Sequence, residues 1–158
     1  MLFKTIGFLI SSLSISVFAA TNGTLALSGS VAKSSSIVIT PTGTANTSLD
    51  ILAGQSNVKV GSAAETSNDL SGYTISISSP TGGFLQNSGD VTKKTAYTIS
   101  YNGGGPVTPT VGGVSVKNVS SLAGLVTNNS DININVTAFA TAPSGTYSDT
   151  LTVTISNN

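Results

Sequence analysis

Ser30 and Lys33 stand three residues apart in "SVAK", the S-x-x-K spacing with which penicillin-recognising enzymes pair a serine nucleophile and a lysine. That chemistry needs a helix, because residues three apart on a helix face the same side. The neighbouring residues instead alternate apolar and polar types, which predicts a strand that sends the two side chains to opposite faces. We therefore expect no catalysis at this pair.

Glu65, Asn68 and Asp69 in "ETSNDL" carry oxygen atoms of the kind that Ca²⁺ takes as ligands. A selective calcium loop offers more carboxylates, at fixed spacing around a turn-forming glycine. We interpret this stretch as a solvated loop, and we expect no metal site and no cofactor.

The composition removes most other enzyme chemistry. The chain has no His, no Cys, no Trp and no Arg, so it lacks Ser–His or Cys–His nucleophile pairs and imidazole metal ligands. Only 8% of its residues are charged, against about 25% in typical soluble proteins, and no cluster of cations is available for phosphate contacts. The sequence predicts a protein that is not an enzyme and binds neither nucleic acid nor a small-molecule substrate.

Four tyrosines could line a sugar-binding face, namely Tyr73, Tyr97, Tyr101 and Tyr147. Each lies among apolar strand residues, where aromatic side chains more often pack into a core. We favour core or edge packing for all four.

Residues 1–19 have the pattern of a signal peptide: Lys4 near the start, an apolar run over 6–15, and small residues at the end. We predict cleavage after Ala19 and export of the remaining chain. No later apolar run approaches the roughly 20 residues that a membrane-spanning helix needs.

Beyond residue 20 the apolar period is two, and β-branched residues dominate. Turn-forming stretches such as "SSPTGG", "NGGGP" and "TAPSG" separate the runs. This pattern predicts an all-β, antiparallel sandwich. We expect strands at Thr24–Ala32, Ser36–Thr40, Ser56–Gly61, Tyr73–Ser78, Ala96–Tyr101, Val114–Val119, Asp131–Ala140 and Thr146–Ser156.

Both ends of the predicted domain carry a strand with one apolar face. The face of the last strand consists of Tyr147, Leu151, Val153 and Ile155. The face of the first strand consists of Leu25, Leu27, Gly29 and Val31. A glycine in a strand often marks a close approach of another backbone.

Three stretches together resemble the subunits of bacterial chaperone-usher pili, nearest to the CS1-type fimbrial and spore-coat-U-like subunits. They are "TLALSGSVAKSSSIVI" after the signal segment, "SGYTISISSPTGG" in the middle, and "SGTYSDTLTVTISNN" at the end. Many such subunits carry a Cys in or just after the first core strand, where this chain has "KSSSIV", so the subfamily stays open.

The resemblance implies an immunoglobulin-like sandwich that lacks its final strand and is completed by the N-terminal strand of another subunit. It implies a signal peptide at 1–19, a donor-strand extension at 20–34 and a pilin domain at 35–158. Leu25, Leu27, Gly29 and Val31 would form the donor face, and Tyr147, Leu151, Val153 and Ile155 would serve the acceptor groove and chaperone pairing. The implied partners are copies of itself or related pilins joined head to tail, a periplasmic chaperone and an outer-membrane usher.

The function implied is that of a fimbrial shaft subunit at the cell surface, supporting adhesion or biofilm formation. An exposed apolar sheet edge is an aggregation hazard, and a head-to-tail contact that does not close on itself builds a fibre. The alternative is a self-contained secreted β-sandwich that binds a glycan or surface partner, with residues 24–32 pairing in its own sheet.

Overall fold

A computed structural model describes residues 21–158, so the predicted signal peptide lies outside the described residues. The described chain is all-β and contains no helix, and therefore none long and apolar enough to cross a bilayer. Its nine strands are β1 (Ser35–Pro41), β2 (Gln55–Ser67), β3 (Tyr73–Ser78), β4 (Phe84–Asn87), β5 (Lys94–Tyr101), β6 (Val114–Val119), β7 (Val126–Val136), β8 (Tyr147–Ser148) and β9 (Thr152–Asn157).

The strands form two antiparallel sheets. The larger sheet has the order β1-β2-β7-β5-β4-β8, and the smaller has the order β6-β3-β9. All ladders between named strands are antiparallel. The predicted all-β, sandwich-like architecture is confirmed.

The core lies between the inner faces of the two sheets, because alternate residues of each strand point to one side. In β3 the burial alternates strictly, so that Tyr73, Ile75 and Ile77 have no exposed surface. The larger sheet contributes a matching set of inward side chains, namely Ala63, Leu85, Tyr97, Ile99, Tyr101, Ile132, Ile134 and Val136. The core interpretation of Tyr73, Tyr97 and Tyr101 is therefore right, and Tyr147 is half-buried.

Most predicted strands are present. β3 and β6 match their expected bounds, and β2 extends beyond its expected end at Gly61 to Ser67. β7 spans Val126–Val136, so it begins before the expected Asp131, and the expectation of a strand over residues 137–140 is wrong. β4 was not predicted. The expected last strand is two strands, because the chain pairs with β4 at 147–148, crosses at 149–151 and then pairs with β3.

The chain divides after Val31 into two units, of which the first is described only for residues 21–31. The predicted strand at Thr24–Ala32 is wrong for this structure, since residues 21–34 form no strand. A strand exists only when its N–H and C=O groups pair with a neighbour in a ladder. Apolar alternation alone does not supply that neighbour.

Candidate functional site

In the described part of the chain, each sheet ends on both sides in a strand with an unpaired edge, namely β1 and β8 in the larger sheet and β6 and β9 in the smaller. Within the described residues β1 pairs only with β2, and β9 pairs only with β3. An unpaired strand edge presents a row of free N–H and C=O groups that can accept another strand. β9 therefore offers a place where the smaller sheet could gain a fourth strand.

An apolar groove of about 360 Å³ lies between these edges, over the inner face of the larger sheet. Ile39 and Pro41 of β1 line one side, and Leu151 and Val153 line the other. The floor is formed by inward residues of the larger sheet, namely Val60, Gly61, Leu85, Tyr97, Ile132 and Ile134. Asn46, Leu49, Asp149 and Thr150 complete the lining.

Alternation along β9 builds one wall of the groove. Val153 lies opposite Ile77 and Ile155 lies opposite Ile75 in the antiparallel ladder, so both side chains face the core. The polar residues between them face the other way and are exposed. The three strands of the smaller sheet cover only part of the six-stranded sheet. The inner face of the larger sheet therefore remains open beside the unpaired edge of β9.

The two ends of the groove differ. At one end the Ser35 hydroxyl contacts the Asn157 side-chain oxygen and, at 2.8 Å, the Ser67 hydroxyl, so β1 and β9 meet there. At the other end no such contact joins Pro41 to the residues before β9, and Asp149 and Thr150 line the groove. The groove is thus closed at the Asn157 end and open at the Asp149 end.

Asp149 is the carboxylate of the groove. It accepts hydrogen bonds from the Tyr97 hydroxyl, from the Ser79 hydroxyl at 2.5 Å and from the Thr150 backbone N–H at 2.7 Å. Burial, and then the hydrogen bond to Asp149, raises the pKa of Tyr97 well above its usual range. Within residues 21–158 no lysine lies within ion-pair distance of Asp149.

Leu25, Leu27 and Val31, the apolar members of the predicted donor face, are 84%, 86% and 88% exposed. A methyl group added at Gly29 would touch nothing within 4 Å. Leucine and valine side chains lose about 1.5–3 kcal/mol each by remaining in water rather than in an apolar site. The segment therefore presents an apolar face without burying it.

Side chains of the β2–β3 loop hold the residues that follow this segment. Asn68 accepts from the Ser34 N–H at 2.7 Å and donates to the Ala32 carbonyl at 2.9 Å. Lys33 Nζ lies 2.8 Å from the Asp69 carboxylate. The hydrogen bond from Lys33, and then that from the Ser71 N–H, holds the pKa of Asp69 below its usual range. The chain is thus fixed to the sandwich at 32–34.

Glu65 is fully buried in β2, and Asp69 is 1% exposed, so our interpretation of both as part of a solvated loop is wrong. The Glu65 carboxylate accepts hydrogen bonds from the Lys117 ammonium at 2.6 Å, from the Tyr73 hydroxyl at 2.6 Å and from the Tyr101 hydroxyl. Burial raises the pKa of Glu65, but the hydrogen bonds from Lys117 and its neighbours outweigh it and lower the pKa overall. Among the described residues no three His, Cys, Asp or Glu side chains form a metal-binding group.

The four residues predicted for the acceptor groove lie in different places. Leu151 and Val153 line the groove, whereas Ile155 packs against the core further along β9. Tyr147 lies in β8, its ring edge-on to Phe139 and its hydroxyl bonded to the Pro143 carbonyl. Sequence reasoning missed the β1 side of the groove and Asp149, because one strand pattern does not reveal which other strand will lie across from it.

Among known proteins, similarity to this chain is found in solved structures. No family model matches the chain, and no curated protein matches it. Among solved structures, the CooA pilin subunit from enterotoxigenic Escherichia coli aligns with 62% of this chain and 69% of its own, at 13% identity and a TM-score of 0.38.

Proposed function

We propose that this protein is a structural shaft subunit of a surface fimbrium, and that it polymerises by donor-strand exchange through a chaperone-usher pathway. In this proposal residues 20–34 of one copy lie in the groove of another copy and add a strand beside β9. Strand addition to an open sheet edge gives affinity through main-chain hydrogen bonds and specificity through alternate side chains. Transport through the periplasm and a role in adhesion or biofilm formation belong to the same proposal.

One observation carries the proposal: an apolar groove beside a free strand edge occurs in the same chain as an exposed segment with a matching apolar period. The groove is lined by Leu151 and Val153 beside β9 and by Ile39 of β1. The segment exposes Leu25, Leu27 and Val31. Burying these three side chains in another copy would contribute about 1.5–3 kcal/mol each.

The arrangement is head to tail, because the donor segment and the groove are different surfaces of one chain. A heterologous contact of this kind continues from copy to copy unless the rotation closes it into a ring. The expected product is therefore a linear fibre. No catalytic step is needed, and the proposal assigns no enzymatic activity, cofactor or metal to the protein.

The test changes one donor residue without touching the sandwich. Leu27→Lys places a charge in the proposed buried face, so we expect loss of polymers in size-exclusion chromatography and electron microscopy. Leu70→Lys is the matched control, since Leu70 is also an exposed leucine, at 68%, but lies outside the segment. Its polymers should persist.

The same variants separate donor from acceptor. A Leu27→Lys chain keeps its groove, so it should still bind the donor segment of an unmodified chain and cap the fibre. If Leu27→Lys and Leu70→Lys polymerise equally, or if the unmodified protein remains a stable monomer at high concentration, the self-contained binding module becomes the better account.

A further inference from the structure

Asp149 has hydrogen-bond donors but no cationic partner within the part of the chain that the structure describes. Its carboxylate lines the groove at the open end and is half-buried. The ion pairs within residues 21–158 are Lys33–Asp69, Lys59–Asp131 and Lys117–Glu65, and none includes Asp149. A carboxylate at the rim of an otherwise apolar groove favours an occupant whose apolar face ends in a positive charge.

The exposed segment has such a face. Alternate residues of an extended chain point to the same side, so Lys33 continues the row formed by Leu27, Gly29 and Val31. It follows Val31 by two residues, or about 7 Å along a strand. The row therefore ends in an ammonium group, as the groove ends in a carboxylate.

We propose that Lys33 of one copy pairs with Asp149 of the copy that receives its donor strand, a pairing that rests on the proposed function. This pair sets the direction and register of the donor. The donor runs antiparallel to β9, with Val31 opposite Leu151 and Gly29 opposite Val153. Leu27 then lies opposite Ile155.

The shape of the groove supports this direction. The contact between Ser35 and Asn157 joins β1 to β9 at the far end, which leaves no room there for the folded domain of the donating copy. The sandwich of the donating copy begins immediately after Lys33 and needs room outside the groove. It can be accommodated only at the open end, beside Asp149.

Lys33 can serve both copies. Its side chain is 59% exposed, and it makes one contact, of 2.8 Å, with Asp69 of its own chain. An ammonium group has three donors, so two remain for the second carboxylate. The pair would therefore link the fixed residues 32–34 of one copy directly to the groove rim of the next.

The test is titration calorimetry of an amidated peptide of residues 21–34 into purified protein carrying Leu27→Lys, whose own segment no longer competes. Replacing Lys33 by Ala in the peptide should weaken binding about 5-fold at low salt, and replacing it by Glu should weaken it further. The differences should shrink as salt rises, because exposed charges are screened.

Substitutions at Asp149 in the protein, combined with those at Lys33 in the peptide, form a double-mutant cycle. Asp149→Asn keeps one acceptor oxygen, which can serve both Tyr97 and Ser79 because their hydroxyls share a single carboxylate oxygen. It removes the charge, so all peptides should bind it alike. Asp149→Lys should prefer the peptide that carries Lys33→Glu over the unmodified one. Asp90→Asn is the matched control, since Asp90 is an exposed carboxylate outside the groove lining, and it should preserve the preference for Lys33.

The outcomes separate the two proposals. If the unmodified peptide does not bind at all, donor-strand exchange fails and the pair fails with it. If all three peptides bind equally to protein with Asp149 intact, donor-strand exchange stands and the Lys33–Asp149 pair is overturned. The peptide changes cannot unfold the protein, so this second outcome is decisive even if an Asp149 variant is unstable.

Discussion

Glu65 and Asp149 are both inward carboxylates that accept tyrosine hydroxyls, yet their surroundings differ. Glu65 has Tyr73, Tyr101 and the Lys117 ammonium around it and no exposed surface. Asp149 accepts from Tyr97 and Ser79, has no lysine partner among residues 21–158, and lies at the rim of an open groove. Within the described residues one carboxylate pairs with a lysine and the other does not.

The difference follows from where the sheets cover each other. Lys117 of β6 reaches Glu65 of β2, and so joins the smaller sheet to the larger in the absence of any disulfide. At the β9 edge Asp149 accepts hydrogen bonds from Tyr97 of the larger sheet and from Ser79 directly after β3, but no lysine of residues 21–158 pairs with it. We infer that the Glu65 side stabilises the sandwich and the Asp149 side serves association.

The largest effect should come from Glu65→Ala. It leaves the Lys117 ammonium, whose side chain is only 15% exposed, without its carboxylate partner. Breaking a buried ion pair in this way costs about 3–5 kcal/mol. Urea unfolding measures the loss. The double change Glu65→Leu with Lys117→Met removes both charges and should recover most of it. A loss below about 1 kcal/mol for Glu65→Ala would show that the pair behaves as a surface ion pair.

Acid should reduce the contribution of Glu65 to the stability of the folded protein. The folded-state pKa of Glu65 is lowered, whereas an unfolded glutamate has a pKa of about 4.3. Its contribution is therefore fully present above about pH 4.3 and is lost as the pH falls through the lower folded value. We expect the stability difference between the unmodified protein and Glu65→Gln to narrow below that pH, and a difference that widens in acid would contradict the assignment.

Paired tyrosine changes sharpen the contrast with smaller effects. Tyr101→Phe removes a buried hydrogen bond to a charged group and should cost about 1.5–3 kcal/mol. Tyr97→Phe should cost less, about 0.5–1.5 kcal/mol, because water at the groove rim can replace its hydroxyl at Asp149. Thermal or urea unfolding compares the two. Equal losses would mean that Asp149 is as fully enclosed as Glu65.

The alternation of residue types predicts much of the fold. A strict period-two run located β3 at its observed bounds, and the valines of "VSVKNV" located β6 although its alternation breaks at a bulge. β4 was missed because "FLQN" is too short to show a period, and its strand state depends on pairing with β5 and β8. The crossover at 149–151 was missed because both flanking strands keep one apolar pattern, so nothing local marks the change of sheet.

The candidate site was predictable only in part. Leu151 and Val153 follow from their alternation, and both line the groove. The burial of Glu65 and Asp69 was not predicted, because it depends on partners that are distant in the sequence. Glu65 in β2 pairs with Lys117 of the opposite sheet, and Asp69 in the β2–β3 loop pairs with Lys33. The role of Asp149 likewise depends on Tyr97, which is 52 positions distant in the chain.

The central claim is that the exposed segment of one chain occupies the groove of another, and engineered disulfides test it most directly. The chain has no cysteine of its own. Two double variants carry Leu27→Cys together with either Ile155→Cys or Val153→Cys, so that a two-residue slip in register is also detected. Each protein is oxidised and run on a non-reducing gel. In the control, Ser28→Cys replaces Leu27→Cys, because Ser28 faces away from the groove. We predict a ladder of covalent polymers from one of the two double variants. A cross-linked monomer, or no cross-link in either variant, would contradict donor-strand exchange between copies.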